Sequence, residues 1–358
     1  MAKQEYFLKQ HPLVNLARPA SGRMWTTAFC AFIAVMQSAF TDSFASLVLA
    51  LSALAAALGT ELILTWRKRG FDAVRDGSAA ASALVFTLLL PNAIHPLYAV
   101  FGAVFAMAVI KHSFGGLGSN WVNPAAGGWL FLRFSWPGAF DSALKGSPLS
   151  VISEGLASGL SNPQGSPLGI LKIAGGGTWI ASRLDGTVSS ALNGAVFSFV
   201  KAELPSGYVD LFFSRAPGII ADRGLAALLA GTVIVAAFQA GRVWVPAVYL
   251  FVYAVFVRIA GGVPFGGAAG SGDIIFGLFS GGLVAAAFLL AAEPVTGAKS
   301  AAGIFAGAVL AGFLTWLFRY QGFEAFGAFL AVLSVNAVSV IVRGFEFRYL
   351  YSGKGLSL

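Results

Sequence analysis

The stretch at residues 111–128, Lys-His-Ser-Phe-Gly-Gly-Leu-Gly-Ser-Asn-Trp-Val-Asn-Pro-Ala-Ala-Gly-Gly, constrains the fold more than any other part of the chain. It separates two strongly apolar segments, 97–110 and 121–136. Gly115, Gly116, Gly118, Asn120, Asn123 and Pro124 cannot carry a regular helix through this point. In hydrocarbon, a broken backbone survives only where protein or a cavity satisfies its freed N–H and C=O groups. A break at membrane depth therefore predicts a place built for a ligand, an ion or a redox group.

That argument needs a membrane, and composition supplies it. The chain is 57% hydrophobic and 11% charged, with mean hydropathy +0.79, whereas soluble domains carry about 25% charged residues. The 44 glycines suit close helix approach in lipid. Residues 1–25 carry Lys3, Lys9, Arg18 and Arg23 with no early apolar core, so the first apolar segment reads as a retained anchor. A single cysteine, Cys30, excludes a disulfide framework and a cysteine-held cluster, and reads as packing. His11, His95 and His112 are too scattered for a histidine metal site. The net charge of +8 sits at helix ends, where orientation signals belong, and does not call for nucleic acid.

The expected architecture is an all-α polytopic membrane protein with about ten transmembrane helices. Apolar segments fall at 25–41, 43–66, 78–91, 96–111, 121–137, 222–240, 243–260, 271–292, 301–319 and 323–342. Arg67-Lys68-Arg69, Arg75, Lys111, Arg242, Lys299, Arg343, Arg348 and Lys354 then share a side with both termini, which makes that side cytoplasmic. The domain boundaries follow: a cytoplasmic tail at 1–24, five helices at 25–137, an external loop at 138–221, five more helices at 222–342 and a tail at 343–358. Two groups of five helices are expected to be inverted relative to each other, with a site at their interface. Asn123-Pro124-Ala125 and Glu293-Pro294-Val295-Thr296-Gly297 echo each other faintly. The loop is rich in Gly, Ser and Pro and shows no clear helical or strand pattern; such inserts are usually functional or flexible.

Few polar residues interrupt the apolar segments. Asp76-Gly77-Ser78 reads first as an N-cap for the third segment, and alternatively as a half-helix start aimed at a polar group. Lys111 reads as a side chain snorkelling to the interface. Asp273 reads as an ordinary cap. Glu293, before Pro294 in an apolar run, is costly unless it is paired or faces a cavity. In the external loop, residues 182–193 gather hydroxyls beside Arg183 and Asp185. That pattern fits a turn and a short helix capped by Asp185 or Thr187, and also a site where hydroxyls near a cation hold or esterify a phosphate.

Together these pieces resemble the RnfD/NqrB family, membrane subunits of ion-translocating ferredoxin:NAD oxidoreductases and sodium-pumping NADH:quinone oxidoreductases. The resemblance rests on Asp76-Gly77-Ser78, on Gly115-Gly116-Leu117-Gly118-Ser119-Asn120 with Asn123-Pro124-Ala125, and on Glu293-Pro294-Val295-Thr296. Length and the short N-terminal tail look more like RnfD. The resemblance implies a urea-channel-like fold of two inverted five-helix repeats. It also implies FMN joined through its phosphate to a threonine hydroxyl by a separate flavin transferase, in a pattern like Asp-Gly-x-Ser-x-Ala-Thr. A second, noncovalent flavin such as riboflavin belongs to the same expectation. So do partner subunits, both membrane and peripheral, that pass electrons coupled to Na⁺ or H⁺ movement in a bacterial cytoplasmic membrane. No stand-alone catalysis is implied.

The sequence departs from the acceptor pattern. Asp185-Gly186 matches, but the ungapped acceptor position falls on Ala191, which has no hydroxyl. A one-residue slide puts Ser190 there, and Thr187 is the second candidate. Ser190, Thr187, Arg183 and Asp185 are thus the expected flavin-phosphate residues, and Asn120 and Asn123 the expected polar lining of the break. The rival readings are a redox-free channel or transporter of the same fold, and a scaffold protein of the complex whose flavin site has decayed.

Overall fold

The computed structural model describes residues 20–116, 118–145, 183–200, 207–213, 218–238, 242–265 and 267–352. Most of the expected N-terminal tail with His11, the last six residues of the expected C-terminal tail with Lys354, Leu117, and residues 146–182, 201–206 and 214–217 of the loop lie outside the described residues. The described residues are helical, with one isolated bridge between Pro91 and Ile219 and no strand.

Among the described residues, four stretches are long and apolar enough to cross a membrane: Ala20–Thr41, Ala45–Arg67, Ala301–Gln321 and Gly327–Arg348. They belong to α1 (Ala20–Thr41), α2 (Ala45–Arg69), α15 (Ala301–Gln321) and α16 (Gly327–Ser352). Between them lie the short α3 (Asp72–Arg75), α4 (Ser78–Leu88), α5 (Pro96–Phe105), α6 (Pro124–Ser135) and α7 (Pro137–Lys145). Next come α8 (Arg183–Leu192), α9 (Tyr208–Phe212), α10 (Ile220–Arg223), α11 (Leu225–Phe238) and α12 (Trp244–Ala260). The last two are α13 (Ile274–Leu278) and α14 (Leu283–Ala285). Helix α1 packs on α4 and α11, α2 on α4 and α5, and α15 on both α12 and α16. Small side chains fill these seams, with Ala31, Ala34, Ala53 and Ala57 fully buried. Cys30 is buried among them, as expected of a packing residue.

Two helices loosen before they break. Helix α5 continues as a π-helical turn over Ala106–His112, and α14 as another over Ala286–Ala291. A π turn pairs residues five apart and so widens the helix by one residue, a geometry frequent at functional sites. The first leads into the glycine-rich break and the second into Glu293-Pro294.

The structure revises three expectations. The segment at 271–292 is not one span: α13 and α14 are separated at Phe279–Gly282, where Gly281 and Gly282 take φ +63° and +62°. Two successive left-handed residues end one helix and redirect the next. The loop at 138–221 holds the short helix expected within 182–193, as α8, and adds α7, which the sequence pattern did not mark. Lys111, expected at the interface, is 2% exposed; its environment is described below.

Contacts between chain-distant residues define two ends of the bundle. Ser78 at the start of α4 meets Lys111 at the end of α5, while Leu90 after α4 accepts from the Ile220 amide before α11. Asp222 of α10 meets Gly282 at the start of α14, and Glu293 beyond α14 meets Asn123 before α6. Helices α4 and α14 therefore run in opposite directions. At the end away from Lys111, Asp42, Asn92 and Arg223 join the α1–α2 turn, the end of α4 and the start of α11.

Candidate functional site at the two breaks

The glycine-rich break ends in a compact helix start. Asn123 is the N-cap of α6, and its Oδ1 accepts from the amides of Ala125 at 2.9 Å and Ala126 at 3.3 Å. Pro124 occupies the first helical position, where the missing N–H costs nothing. With its oxygen committed to the helix, the Asn123 amide nitrogen points outward and donates to Glu293 Oε2 at 2.5 Å. The two motifs that looked like an echo in sequence are partners in space. They border a cavity of about 320 Å³, with Arg23 and Thr27 of α1 and Ser82 of α4 also lining it. Asn120 is buried too, and its Oδ1 has no hydrogen-bond partner among the described residues.

Beside this cavity, the residues expected to act separately form one chain. Lys111 Nζ donates to Glu61 Oε2 at 2.8 Å and to Ser78 Oγ at 2.7 Å. His112 Nε2 lies 2.8 Å from the same Glu61 oxygen. Ser78 Oγ donates to Asp76 Oδ1 at 2.7 Å, and that oxygen also accepts the Ser78 amide at 2.8 Å. Asp76 thus satisfies the first amide of α4, as a cap should, with Gly77 left-handed at φ +74° between them. The Lys111 correction has a clear cause. The π turn and Glu61 hold the ammonium inward, and both side chains are almost fully buried. Glu61 was missed in the sequence; its only signal was a lone carboxylate inside the apolar run of α2, the kind of residue that must find a partner.

A comparable arrangement sits at the opposite end. Arg319, fully buried near the end of α15, donates to Ser280 Oγ at 2.7 Å, Gly277 O at 2.7 Å, Tyr253 OH at 2.5 Å and Glu324 O at 3.2 Å. Asp222 Oδ1 accepts the Gly282 amide at 2.6 Å, at the start of α14. Each half-helix start therefore has a carboxylate on its first amide and a buried cation on a serine hydroxyl. Such cations persist in an apolar interior only when their donors are satisfied.

The hydroxyl cluster lies on α8. Asp185 is fully buried and accepts from the amides of Gly207 at 2.8 Å and Asp210 at 3.0 Å, capping α9 from a distance. Ser189 Oγ joins it at 3.2 Å. The expectation that Asp185 or Thr187 caps α8 itself is not met: Asp185 caps a neighbour, and Thr187 Oγ1 donates back to Arg183 O at 3.0 Å. Thr187 and Ser190 are exposed, as is Arg183, and Ser190 Oγ donates to Thr187 O at 2.9 Å. Asp273 is the N-cap of α13, as expected, and also bonds Tyr208 of α9, tying this region to the bundle.

Residues 7–348 match the NQR2, RnfD, RnfE family. The chain belongs to that family. Among its relatives is the D subunit of the proton-translocating ferredoxin:NAD(+) oxidoreductase complex of Clostridium ljungdahlii, 28% identical over 345 residues that cover 96% of this chain and 95% of the relative. The Na(+)-translocating counterpart from Acetobacterium woodii is 26% identical over 279 residues, 78% of this chain and 74% of the relative. The D subunit of the ion-translocating oxidoreductase complex of Aeromonas salmonicida is 30% identical over 325 residues, 83% and 86% of the two chains. These family members are named for two different ions, so family membership does not select between them.

Proposed function

We propose that this chain is the D-type membrane component of an ion-translocating electron-transport complex and carries FMN on the outer face of a bacterial cytoplasmic membrane. Family membership over 7–348, with relatives that are D-type components of such complexes, is the observation that carries this reading. Ten crossings in two inverted repeats of five helices complete it. The opposed directions of α4 and α14 support that arrangement, as do their matched starts, Ser78 with Lys111 and Ser280 with Arg319. Arg23, Arg67, Arg75, Lys111, Arg242, Lys299 and Arg343 gather at one end, which favours that end as cytoplasmic and α8 as external.

The residues of α8 fit a phosphate ester. Thr187 and Ser190 present exposed hydroxyls, Arg183 supplies positive charge one helical turn from Thr187, and the Asp185 carboxylate is turned away into the α9 cap. FMN, when attached, supplies one-electron redox chemistry; the protein supplies position and insulation. The cavity between Asn123 and Glu293 is the expected seat of a second, noncovalent flavin such as riboflavin, being concave, mostly apolar and provided with a few fixed polar groups.

The test is in-gel fluorescence under ultraviolet light after coexpression with a flavin transferase. A fluorescent band that survives denaturation and vanishes in Ser190→Ala supports attachment at Ser190; loss in Thr187→Ala moves it to Thr187. A dark band from the unaltered chain refutes covalent FMN and leaves the redox-free transporter or the scaffold protein.

A further inference from the structure

A second cavity, of about 110 Å³, lies beyond Glu293 among α12, α15, α16 and the Ala291–Ala298 segment. Its lining is small and apolar, with Gly303, Gly307 and Val335 representative, and three polar side chains interrupt it: Arg242, Asn336 and Ser339, whose hydroxyl donates to the carbonyls of Thr296 and Asn336. Asn336 is 4% exposed, and its Nδ2 has no hydrogen-bond partner among the described residues. Arg242 lines the end nearest the loops. The mouth includes exposed Ala306 of α15 and Val338 of α16, both on stretches apolar enough to span, so it opens toward hydrocarbon. An occupant must arrive from the bilayer.

The charge around the mouth is out of balance. Arg242 lies in the field of Arg23, and Lys299 in the fields of Arg343 and Arg242, while the carboxylates that act on Lys299 are Glu293 and Glu346. Among the described residues, four cations, counting Arg23 from the lining of the first cavity, thus stand against two carboxylates, and Glu293 is engaged by Asn123. Lys299 and Arg343 hold the loop by donating to the carbonyls of Pro294, Val295 and Gly297. Those carbonyls are neutral, so the positive charge persists. Burial, and then Arg23, hold Arg242 below the usual arginine range; burial, Arg343 and Arg242 do the same to Lys299. An added anion would relieve both.

We infer that this cavity is a binding site for an anionic phospholipid, with its phosphate at Arg242, a fatty chain in the groove between α15 and α16, and an ester carbonyl accepting from Asn336 Nδ2. A zwitterionic lipid brings a quaternary amine that meets the same cations unfavourably. A soluble phosphate gains nothing from the groove. Basic pockets at the cytoplasmic ends of transmembrane helices select anionic headgroups on this physical basis.

The experiment uses the full-length chain, purified in mild detergent, delipidated and reloaded with phosphatidylglycerol or phosphatidylcholine, with retained lipid counted by native mass spectrometry. Phosphatidylglycerol should be retained preferentially. Arg242→Gln should cut that preference about fivefold, the worth of one cation near an anionic lipid surface, and Arg242→Lys should preserve it. Asn336→Leu, close in shape but without the amide donor, should reduce retention of both lipids, since both carry the ester carbonyl. Arg348→Gln, at an exposed position outside the lining, should change nothing. Equal retention of the two lipids by the unaltered chain, or an equal effect of Arg348→Gln, overturns the proposal. Displacement of the lipid by millimolar inorganic phosphate would overturn it too, by marking a site for a soluble anion.

Discussion

Asn123 donates its side-chain amide to the carboxylate of Glu293 at 2.5 Å, joining two helix breaks that stand 170 residues apart in the chain. The same asparagine caps α6 through its oxygen, so one side chain both starts a helix and satisfies one oxygen of a buried acid. The cavity beside it has borders drawn from both groups of helices.

Asn123→Leu should be the more damaging way to cut this contact. It strands a buried carboxylate and orphans two helix amides, for a cost of about 2–4 kcal/mol. Glu293→Gln keeps the shape and one hydrogen bond and should cost about 1 kcal/mol. Thermal unfolding of the detergent-solubilised protein ranks the two, and a larger effect of Glu293→Gln would contradict the assigned geometry.

The Glu61–Lys111 pair should behave as a buried ion pair. Lys111→Met leaves Glu61 with His112 as its remaining partner and should destabilise by about 3 kcal/mol, the low end for breaking a buried pair. The double variant Glu61→Gln with Lys111→Met should recover much of the loss, because no unpaired charge remains. Additive losses in a double-mutant cycle would show that the two do not share an interaction.

Arg319 is held by its planar fork and not only by its charge. Its donors reach Ser280, Gly277 and Tyr253 in different directions, and the guanidinium lies 5.5 Å from the Tyr253 ring centroid. Arg319→Lys keeps the charge but cannot span those acceptors, so it should lose about 3 kcal/mol. A Lys variant that unfolds at the parental temperature would refute this role.

Gly282 is required by backbone geometry. A Cβ there would sit 2.6 Å from Phe329 Cζ and 2.7 Å from Ile219 Cδ1, on a residue with φ +62°. Gly282→Ala should therefore cost about 1–2 kcal/mol from conformation alone, and more from the clash. Gly297→Ala, where a Cβ would meet nothing within 4 Å, is the matched control. Equal melting temperatures for the two variants would rule out the tight turn at α14.

Asp185 should control the order of the hydroxyl-bearing helix. Asp185→Ala removes the acceptor for two α9 amides and one serine, each worth about 1 kcal/mol or more when left unpaired. Limited proteolysis between 183 and 213 should accelerate in that variant while the helix bundle stays resistant. Unchanged cleavage would place the capping role elsewhere.

Local chemistry was legible where a single residue imposes it. Asp273 as a cap, Asp76 on the first amide of α4, Pro124 at a helix start and Cys30 as packing all follow from properties carried by the residue itself. Asp185 shows the limit: as a capping residue it was recognisable, but the helix it caps lies beyond its own. Lys111 shows another limit. Its position at the end of an apolar segment suggests snorkelling, and only the neighbouring α2 reveals the acid that draws it inward.

The sequence by itself determined the membrane class, the positions of the breaks and the family, because hydropathy and the backbone limits of Gly and Pro act within a few residues. The tertiary structure alone decided that the two breaks meet at Asn123 and Glu293, that Glu61 partners Lys111, and that Arg319 repeats this arrangement at the other end. Those outcomes depend on which helix faces pack together. Side chains 50 or 170 residues apart acquire a relationship only when packing removes water from between them and leaves each to be satisfied by the few polar groups it meets.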